Sequence, residues 1–278
     1  MALGLAPSPY GCQDDIMARI TAASGVTIGY EDVGAGDATP ILFLHGVGSD
    51  KSVWRPQLEL FGRDRRAVAF DYPGYGESDS APEGTTRDDY ATTILAVMTE
   101  LGIARAHVCG LSLGGVVGIA MHHAWPKRIA SLILADTFAE HPDGHGIYDR
   151  SVAASNDLRA LAEARVDVLL GQPADPAVRR EVVETMARID PAAYRVGVEA
   201  VWLSKQRDRA RRIAVPTLIL CGTEDSVTPP ALSNELLQLI PGAQYETIAG
   251  AGHLSNLERP DDFNLLVSAF IRGVDMRG

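Results

Sequence analysis

Residues 106–121 join an apolar run, a serine between glycines and a helical pattern of small residues. The apolar residues 106–109 precede Gly110-Leu111-Ser112-Leu113-Gly114, and residues 115–121 follow with helical spacing. A strand that turns sharply into a helix is the context of a nucleophile elbow. The glycines let the serine adopt a strained backbone and let the helix pack closely. The pattern therefore predicts an α/β sheet with the Ser112 hydroxyl exposed at a strand's carboxyl end.

Partners for this serine follow in the chain order that such a fold uses, which is serine, acid, histidine. Residues 215–221 are a short apolar run typical of a buried strand, and Asp225 comes just past its end. His253 lies in a glycine-rich loop after the strand-like residues 245–248. A serine needs a base to attack at neutral pH, and the base needs an anion to hold its tautomer. We predict Ser112, Asp225 and His253 as a catalytic triad.

The identity of the acid has alternatives. Glu224 is adjacent to Asp225, and Asp136 follows residues 129–134, an earlier predicted strand that can also carry an acid in this fold. Placement just after a strand favours Asp225 and leaves Asp136 as the main rival.

A further loop offers donors for a developing negative charge. Residues 40–44 read as a strand that ends in His45-Gly46-Val47. Backbone N–H groups must already point at the place where an oxyanion forms. The N–H groups of Val47 and Leu113 are the predicted donors. His45 is expected near the site, where it braces this loop or contacts substrate.

Strands and helical patterns alternate along most of the chain, which predicts a mostly parallel sheet with helices on both faces. Strands are predicted at 16–23, 26–32, 40–44, 67–70, 106–109, 129–134, 217–221 and 245–248, and helices at 53–61, 86–101, 115–121, 231–239 and 261–272. Residues 138–212 are helical in pattern. We predict a core of residues 16–137 and 213–275, a helical cap of residues 138–212 inserted over the strand carboxyl ends, and an N-terminal extension of residues 1–15.

Composition excludes several classes of partner. The formal net charge of −11 argues against binding to nucleic acids and to anionic membranes. No apolar run approaches the roughly 20 residues of a spanning helix, and residues 1–15 lack the pattern of a secretion signal. Three cysteines, Cys12, Cys109 and Cys221, cannot all pair, so we expect a cytoplasmic protein without a disulfide framework.

Taken together, these motifs resemble the α/β-hydrolase superfamily over residues 20–271. The resemblance rests on His45-Gly46, residues 71–78 (DYPGYGES), the Ser112 elbow, residues 222–225 (GTED) and Gly252-His253. Within that superfamily, residues 109–115 and 252–260 are most similar to 3-oxoadipate enol-lactonases, which hydrolyse a small carboxylated enol-lactone in aromatic catabolism. Leu113 stands where those enzymes often have Met. The resemblance implies a serine hydrolase that acts on an ester or lactone.

Acyl transfer to water by this triad needs neither a cofactor nor a metal, and the predicted partner is a small-molecule substrate. A carboxylated substrate would need local positive charge, which cap arginines can supply bidentately. The predicted substrate-binding residues are His45, Tyr148, Arg150, Arg188, Arg195 and Trp202, with Tyr194 as a further wall. A homo-oligomer is compatible with the sequence.

Three other functions stay open. The first is a carbon–carbon bond hydrolase of ring-fission products, although such relatives tend to have an aromatic residue where this chain has Leu254. The second is a different small-ester hydrolase or a perhydrolase. The third is a ligand-binding receptor on the same scaffold, because a fold does not fix a function.

Overall fold

A single eight-stranded sheet organises the computed structural model, which describes residues 17–22, 25–82 and 84–277. The strands are β1 (Met17–Thr21), β2 (Thr27–Val33), β3 (Ile41–Leu44), β4 (Ala67–Phe70), β5 (Ala106–Leu111), β6 (Ile129–Ala135), β7 (Thr217–Gly222) and β8 (Gln244–Ile248). Their spatial order is β1-β2-β4-β3-β5-β6-β7-β8. The pairs β1–β2 and β2–β4 are antiparallel and the other pairs are parallel. The predicted mostly parallel sheet is confirmed.

Helices cover both faces of this sheet. The α-helices are α1 (Arg55–Phe61), α2 (Arg87–Glu100), α3 (Leu113–Ala124), α4 (Gly144–Ala154), α5 (Leu158–Leu169), α6 (Pro176–Ala187), α7 (Pro191–Trp202), α8 (Arg207–Ala210), α9 (Pro230–Leu239), α10 (Ser255–Glu258) and α11 (Pro260–Asp275). Short 3-10 helices span Lys51–Trp54 and Pro126–Arg128. No helix in the described ranges is long and apolar enough to cross a bilayer.

The core lies on both sides of the central strands, whose residues are buried throughout from β3 to β7. Successive side chains point to opposite faces. Leu42 and Leu44 therefore pack in one apolar cluster with α2 and α3. Ile41 and Phe43 pack in a second cluster with α1 and α11. Burial on both faces explains why these strands read as continuous apolar runs instead of alternating ones.

The observed boundaries differ from the predicted ones by a few residues. β5 extends to Leu111 and β7 to Gly222, so both strands reach farther toward the site than predicted. The helix predicted at 53–61 is a 3-10 turn followed by α1, because the Asp50 side chain accepts a hydrogen bond from Ser52 N–H and sets an earlier start. The N-terminal extension 1–15, Cys12 and the ends of the first predicted strand lie outside the described residues.

Residues 138–212, all described, contain the five helices α4 to α8 and no strand. Three of these helices begin after an aspartate whose carboxylate accepts a hydrogen bond from the first turn, at Asp157, Asp175 and Asp190. Such N-caps satisfy backbone donors that the helix leaves unpaired. These capping aspartates explain why a polar, Ala- and Arg-rich segment forms discrete helices. Its division from the core as a separate cap domain stays a prediction.

Candidate active site

Ser112 lies in the turn between β5 and α3 with a strained backbone, at φ 54° and ψ −114°. Such a conformation costs about 1–3 kcal/mol for a residue with a side chain. Glycines make the turn possible: a Cβ on Gly110 would lie 2.2 Å from the Gly114 oxygen, and one on Gly114 would lie 2.0 Å from the Leu44 oxygen. The tight approach of α3 to β3 therefore holds Ser112 in its strained position.

His253 and Asp225 are joined directly at the ends of neighbouring segments. His253 Nδ1 lies 3.0 Å from Asp225 Oδ2, and both side chains are buried. Asp225 Oδ1 accepts from Val227 N–H at 2.8 Å and from Thr228 N–H at 2.9 Å. Asp225 Oδ2 also accepts from the Thr228 hydroxyl at 2.6 Å. These donors fix the carboxylate against the imidazole.

Charges and hydrogen bonds set the protonation of this pair. Burial opposes ionisation of Asp225, but His253 and Thr228 overcome it and lower the pKa of Asp225. Burial also disfavours the imidazolium of His253, but Asp225 outweighs this and raises the pKa of His253 above its usual value. With Nδ1–H donating to Asp225, Nε2 of His253 is left as an acceptor. His253 can therefore act as a base.

The rival acid, Asp136, occupies a different position. Its Oδ1 accepts from Gly222 N–H at 2.8 Å, and its Oδ2 accepts from the Ser255 hydroxyl at 2.5 Å. Burial and the nearby Asp225 charge raise the pKa of Asp136. Glu224 instead accepts from Gln172 N–H at 2.9 Å. Of the three candidate acids, Asp225 is the one that hydrogen-bonds His253.

The predicted oxyanion donors border the serine. A Cβ on Gly46 would lie 3.4 Å from Ser112 Cβ, so the loop that carries Val47 passes beside the nucleophile. Leu113 is the first residue of α3, and a helix leaves the N–H of its first residue without a partner inside the helix. The assignment of Val47 and Leu113 N–H as oxyanion donors stays a prediction.

His45 is fully buried beneath that loop. Its Nδ1 donates to the Gly46 oxygen at 2.8 Å, and its Nε2 accepts from Tyr72 N–H at 3.4 Å. Its ring packs against Tyr72 and Tyr75. Burial lowers the pKa of His45, which favours the neutral ring. These contacts agree with bracing of the loop and leave His45 outside the cavity lining.

Ser112 and His253 open into one cavity beneath helices α5 to α7. Trp202 and Tyr194, both predicted as walls, are part of its lining. Most of the remaining wall is apolar and comes from Val47, Val53, Leu169, Val182, Met186, Val227, Leu254 and Leu257. Arg165 and Glu181 also line it, and neither was predicted. The helical spacing of Arg165 and Leu169 was the available signal, because residues four apart share a helix face.

The other predicted substrate-binding residues lie outside this cavity. Arg150 is exposed and pairs with Asp143 at 2.8 Å. Arg188 faces a neighbouring cleft, 3.7 Å from Asp50.

Arg195 donates to the Ser155 hydroxyl at 3.1 Å, and Tyr148 packs against the apolar core. The predicted arginines therefore have protein partners.

Asp136, Cys221 and Asp225 bring potential metal-ligand atoms within 4.8 Å of one another. Hydrogen bonds already engage both carboxylates, and burial raises the pKa of the Cys221 thiol, which disfavours the thiolate that binds metals. Cys109 and Cys221 are buried free thiols. These three side chains therefore fit a hydrogen-bonded cluster better than a metal centre.

Known proteins resemble this chain in sequence and in fold. A family model described as "Alpha/beta hydrolase family" matches residues 41–264. The chain is 28% identical to 3-oxoadipate enol-lactonase 1 of Acinetobacter baylyi, over 92% of this chain and 97% of the relative. It is 28% identical to a putative carbamate hydrolase of Azorhizobium caulinodans, over 88% and 95%. The crystal structure of an enol-lactonase from Burkholderia xenovorans aligns with a TM-score of 0.85 and 30% identity, over 92% of this chain and all of that one.

Proposed function

Because the chain belongs to the alpha/beta hydrolase family, we propose that it is a serine hydrolase that cleaves a small ester or lactone through an acyl-enzyme on Ser112. One observation carries the proposal. Ser112 and His253 line the same cavity, and Asp225 holds the far nitrogen of that histidine at 3.0 Å. A nucleophile, a base and an orienting anion are the groups that such chemistry requires.

The first half-reaction forms the acyl-enzyme. Nε2 of His253 takes the Ser112 proton while Ser112 Oγ attacks the carbonyl carbon. The carbonyl oxygen becomes an anion, which the N–H groups of Val47 and Leu113 stabilise. Asp225 stabilises the imidazolium. The tetrahedral intermediate then expels the ester oxygen, which takes the proton from Nε2. In a lactone this oxygen remains tethered to the acyl group.

The second half-reaction restores the enzyme. A water molecule gives a proton to Nε2 of His253 and attacks the acyl carbon. The new tetrahedral intermediate breaks its bond to Ser112 Oγ, which recovers the proton from Nε2. The products are a carboxylic acid and the alcohol, or a hydroxy or keto acid from a lactone. All steps use groups of this chain and water.

The substrate class follows from relatives that are themselves named 3-oxoadipate enol-lactonases. We propose 3-oxoadipate enol-lactone, or a small carboxylated ester of similar size, as the first substrate to test. The mostly apolar lining suits a short acyl chain. The named relatives and the apolar cavity at Ser112 support this choice.

Steady-state hydrolysis of 3-oxoadipate enol-lactone, beside that of a simple activated ester, tests the proposal. We expect many turnovers by the parent and a loss of about 10⁴-fold or more in kcat for Ser112→Ala, because the nucleophile is removed. Ser52→Ala is the matched control, because Ser52 lines the same cavity but its hydroxyl bonds Asp50. The control should retain parental kcat.

Other outcomes would redirect the proposal. Turnover of the activated ester but not of the lactone would keep the serine hydrolase and reject the enol-lactone. Cleavage of a ring-fission dienone instead would identify a carbon–carbon bond hydrolase. One equivalent of product without further turnover would indicate a receptor.

A further inference from the structure

The cavity that holds Ser112 has an uneven distribution of charge. Besides the triad histidine, its charged lining residues are Arg165 on α5 and Glu181 on α6. Arg165 is half-buried, whereas Glu181 is exposed at the rim. Apolar side chains such as Leu169 and Val182 surround them. A guanidinium held against an apolar wall is poorly hydrated, so it gains more from an anionic partner than a surface arginine does.

Arg165 differs from neighbouring arginines because no carboxylate of the described residues neutralises it. In the described part of the chain it forms no ion pair within 4.0 Å. Arg159 on the same helix pairs with Glu184 at 2.8 Å, and Arg179 on α6 pairs with Asp167. One of the five guanidinium donors of Arg165 engages the Tyr194 hydroxyl. The other donors can serve a ligand, because Arg165 lies in the cavity where the acyl group must bind.

Tyr194, which interacts with Arg165, is compatible with an anion. Burial raises the pKa of Tyr194, and the adjacent Arg165 only partly opposes this, so the hydroxyl stays protonated and can donate a hydrogen bond. Arg165 and Tyr194 both line the cavity with Ser112. Together they present a forked cation and a hydroxyl donor, which match the two oxygens of a carboxylate.

We infer that Arg165 is the specificity-determining residue of this cavity and selects acyl substrates that carry a carboxylate remote from the scissile bond. The inference rests on the proposed function for the reaction itself. It assigns substrate selection to α5, and not to the arginines at positions 150, 188 and 195. Glu181 opposes the selection from the rim, because a carboxylate there repels an entering anion.

A matched pair of substrates isolates this role. One is the p-nitrophenyl monoester of glutaric acid, and the other is its methyl-capped, uncharged analogue. For Arg165→Gln we expect kcat/KM on the charged ester to fall about 10- to 100-fold, mainly through KM, because charge-assisted hydrogen bonds are lost. The uncharged ester should be hydrolysed within about twofold of the parental rate. Arg150→Gln, on an exposed cap arginine, is the control and should change neither.

Two more measurements separate specificity from structure. Glu181→Gln is expected to lower KM for the charged ester alone. Binding of monomethyl glutarate to Ser112→Ala, with and without Arg165→Gln, reports the carboxylate contact without any turnover. Weaker binding with the second substitution supports the inference even if the parent hydrolyses neither ester, a result that would reject the proposed function instead. An equal fall on both esters, or unchanged binding, would overturn the assignment of Arg165.

Discussion

Two buried carboxyl groups, Asp136 and Asp225, follow neighbouring strands, and their surroundings give them different chemistry. Asp225 accepts hydrogen bonds from His253 and the Thr228 side chain, which favour its charged form. Asp136 is fully buried beside that charge, so its pKa is raised. Two like charges this close are costly, and the pair therefore divides into one anion and one neutral acid. The anion lies where it can stabilise a histidine cation.

This division predicts unequal effects of the same substitution. Asp225→Asn should lower kcat by about 10⁴-fold, because the amide favours the wrong tautomer of His253. Asp136→Asn resembles the neutral acid and keeps partners for Gly222 and Ser255, so kcat should stay within about threefold. Steady-state kinetics on one activated ester at neutral pH compares the two variants. A larger loss from Asp136→Asn would make Asp136 the functional acid.

Sequence order could predict these residues, but not the roles that depend on distance. The spacing of serine, acid and histidine predicts Ser112, Asp225 and His253 as the triad, because a strand and its loop fix each position along the chain. It cannot show that Asp136 bonds Ser255 and not His253, since that choice depends on how two loops pack. Arg165 was missed for a similar reason. Helical periodicity shows which residues share a face, but not which face meets the cavity.

At the scale of elements, two glycines of helix α3 differ in how much space surrounds them. A Cβ on Gly114 would lie 2.0 Å from the Leu44 backbone oxygen, so that glycine lets the helix approach β3. Gly118 is one turn further along α3, and the nearest atoms to a Cβ there are side-chain carbons at 3.7 Å. In the sequence both glycines belong to the same pattern of small residues. Only the distances to their neighbours in the structure distinguish them.

Alanine substitutions should therefore have opposite effects on α3. Gly114→Ala must push the helix from the sheet, and we expect a loss of roughly 1–3 kcal/mol in the free energy of unfolding, with loss of activity as the Ser112 turn moves. Gly118→Ala should raise stability by about 0.5–1 kcal/mol, since it removes backbone entropy from the unfolded chain without a clash. Urea denaturation measures both. Equal destabilisation would show that α3 tolerates no added methyl group anywhere.

Hydrogen bonds connect the helical segment over the site to the loop that carries His253. His253 N–H donates to the Leu169 oxygen at 2.7 Å, at the end of α5. Glu258 accepts from Gly171 N–H at 2.7 Å and from Gly252 N–H at 2.9 Å. Sequence patterns predicted helices here, but they could not predict these contacts. Each contact uses a backbone N–H or C=O group on at least one side, and any residue type can supply such a group. The position of α5, and with it that of Arg165, is thus linked to the loop that carries His253.

At the scale of the whole molecule, the family predicted from the motifs is confirmed. The candidate active site and a buried polar cluster lie at opposite ends of strand β5. β5 ends next to Ser112 and begins near His107, where α11 ends. His107 Nδ1 lies 2.8 Å from the Ser131 hydroxyl, and Nε2 lies 3.1 Å from Asp275. Asp275 also pairs with Arg65 at 2.9 Å. This cluster fastens the C-terminal helix to the sheet, far from the site.

Titration of that cluster predicts how the fold responds to acid. Burial lowers the pKa of His107 to about 4, although Asp275 opposes the shift. In the unfolded chain His107 takes up its proton near pH 6.5, whereas in the folded chain it does so only near pH 4. The titration of His107 should therefore lower the free energy of unfolding by about 3 kcal/mol between pH 6.5 and pH 4. In His107→Gln that contribution is absent. The variant should be less stable than the parent at pH 7, and the difference should shrink as the pH falls.

Urea denaturation of both proteins from pH 7 to pH 4 measures this convergence. Ser131→Ala is the control, because it removes a partner of His107 but leaves the imidazole to titrate, so its deficit should persist at every pH. A constant deficit for His107→Gln would show that acid destabilises the fold elsewhere, with His45 and His122, whose pKa values burial also lowers, as the next candidates. Convergence would assign the acid sensitivity of the fold to His107, at the end of β5 opposite Ser112. Stability and activity would then depend on the protonation of different groups.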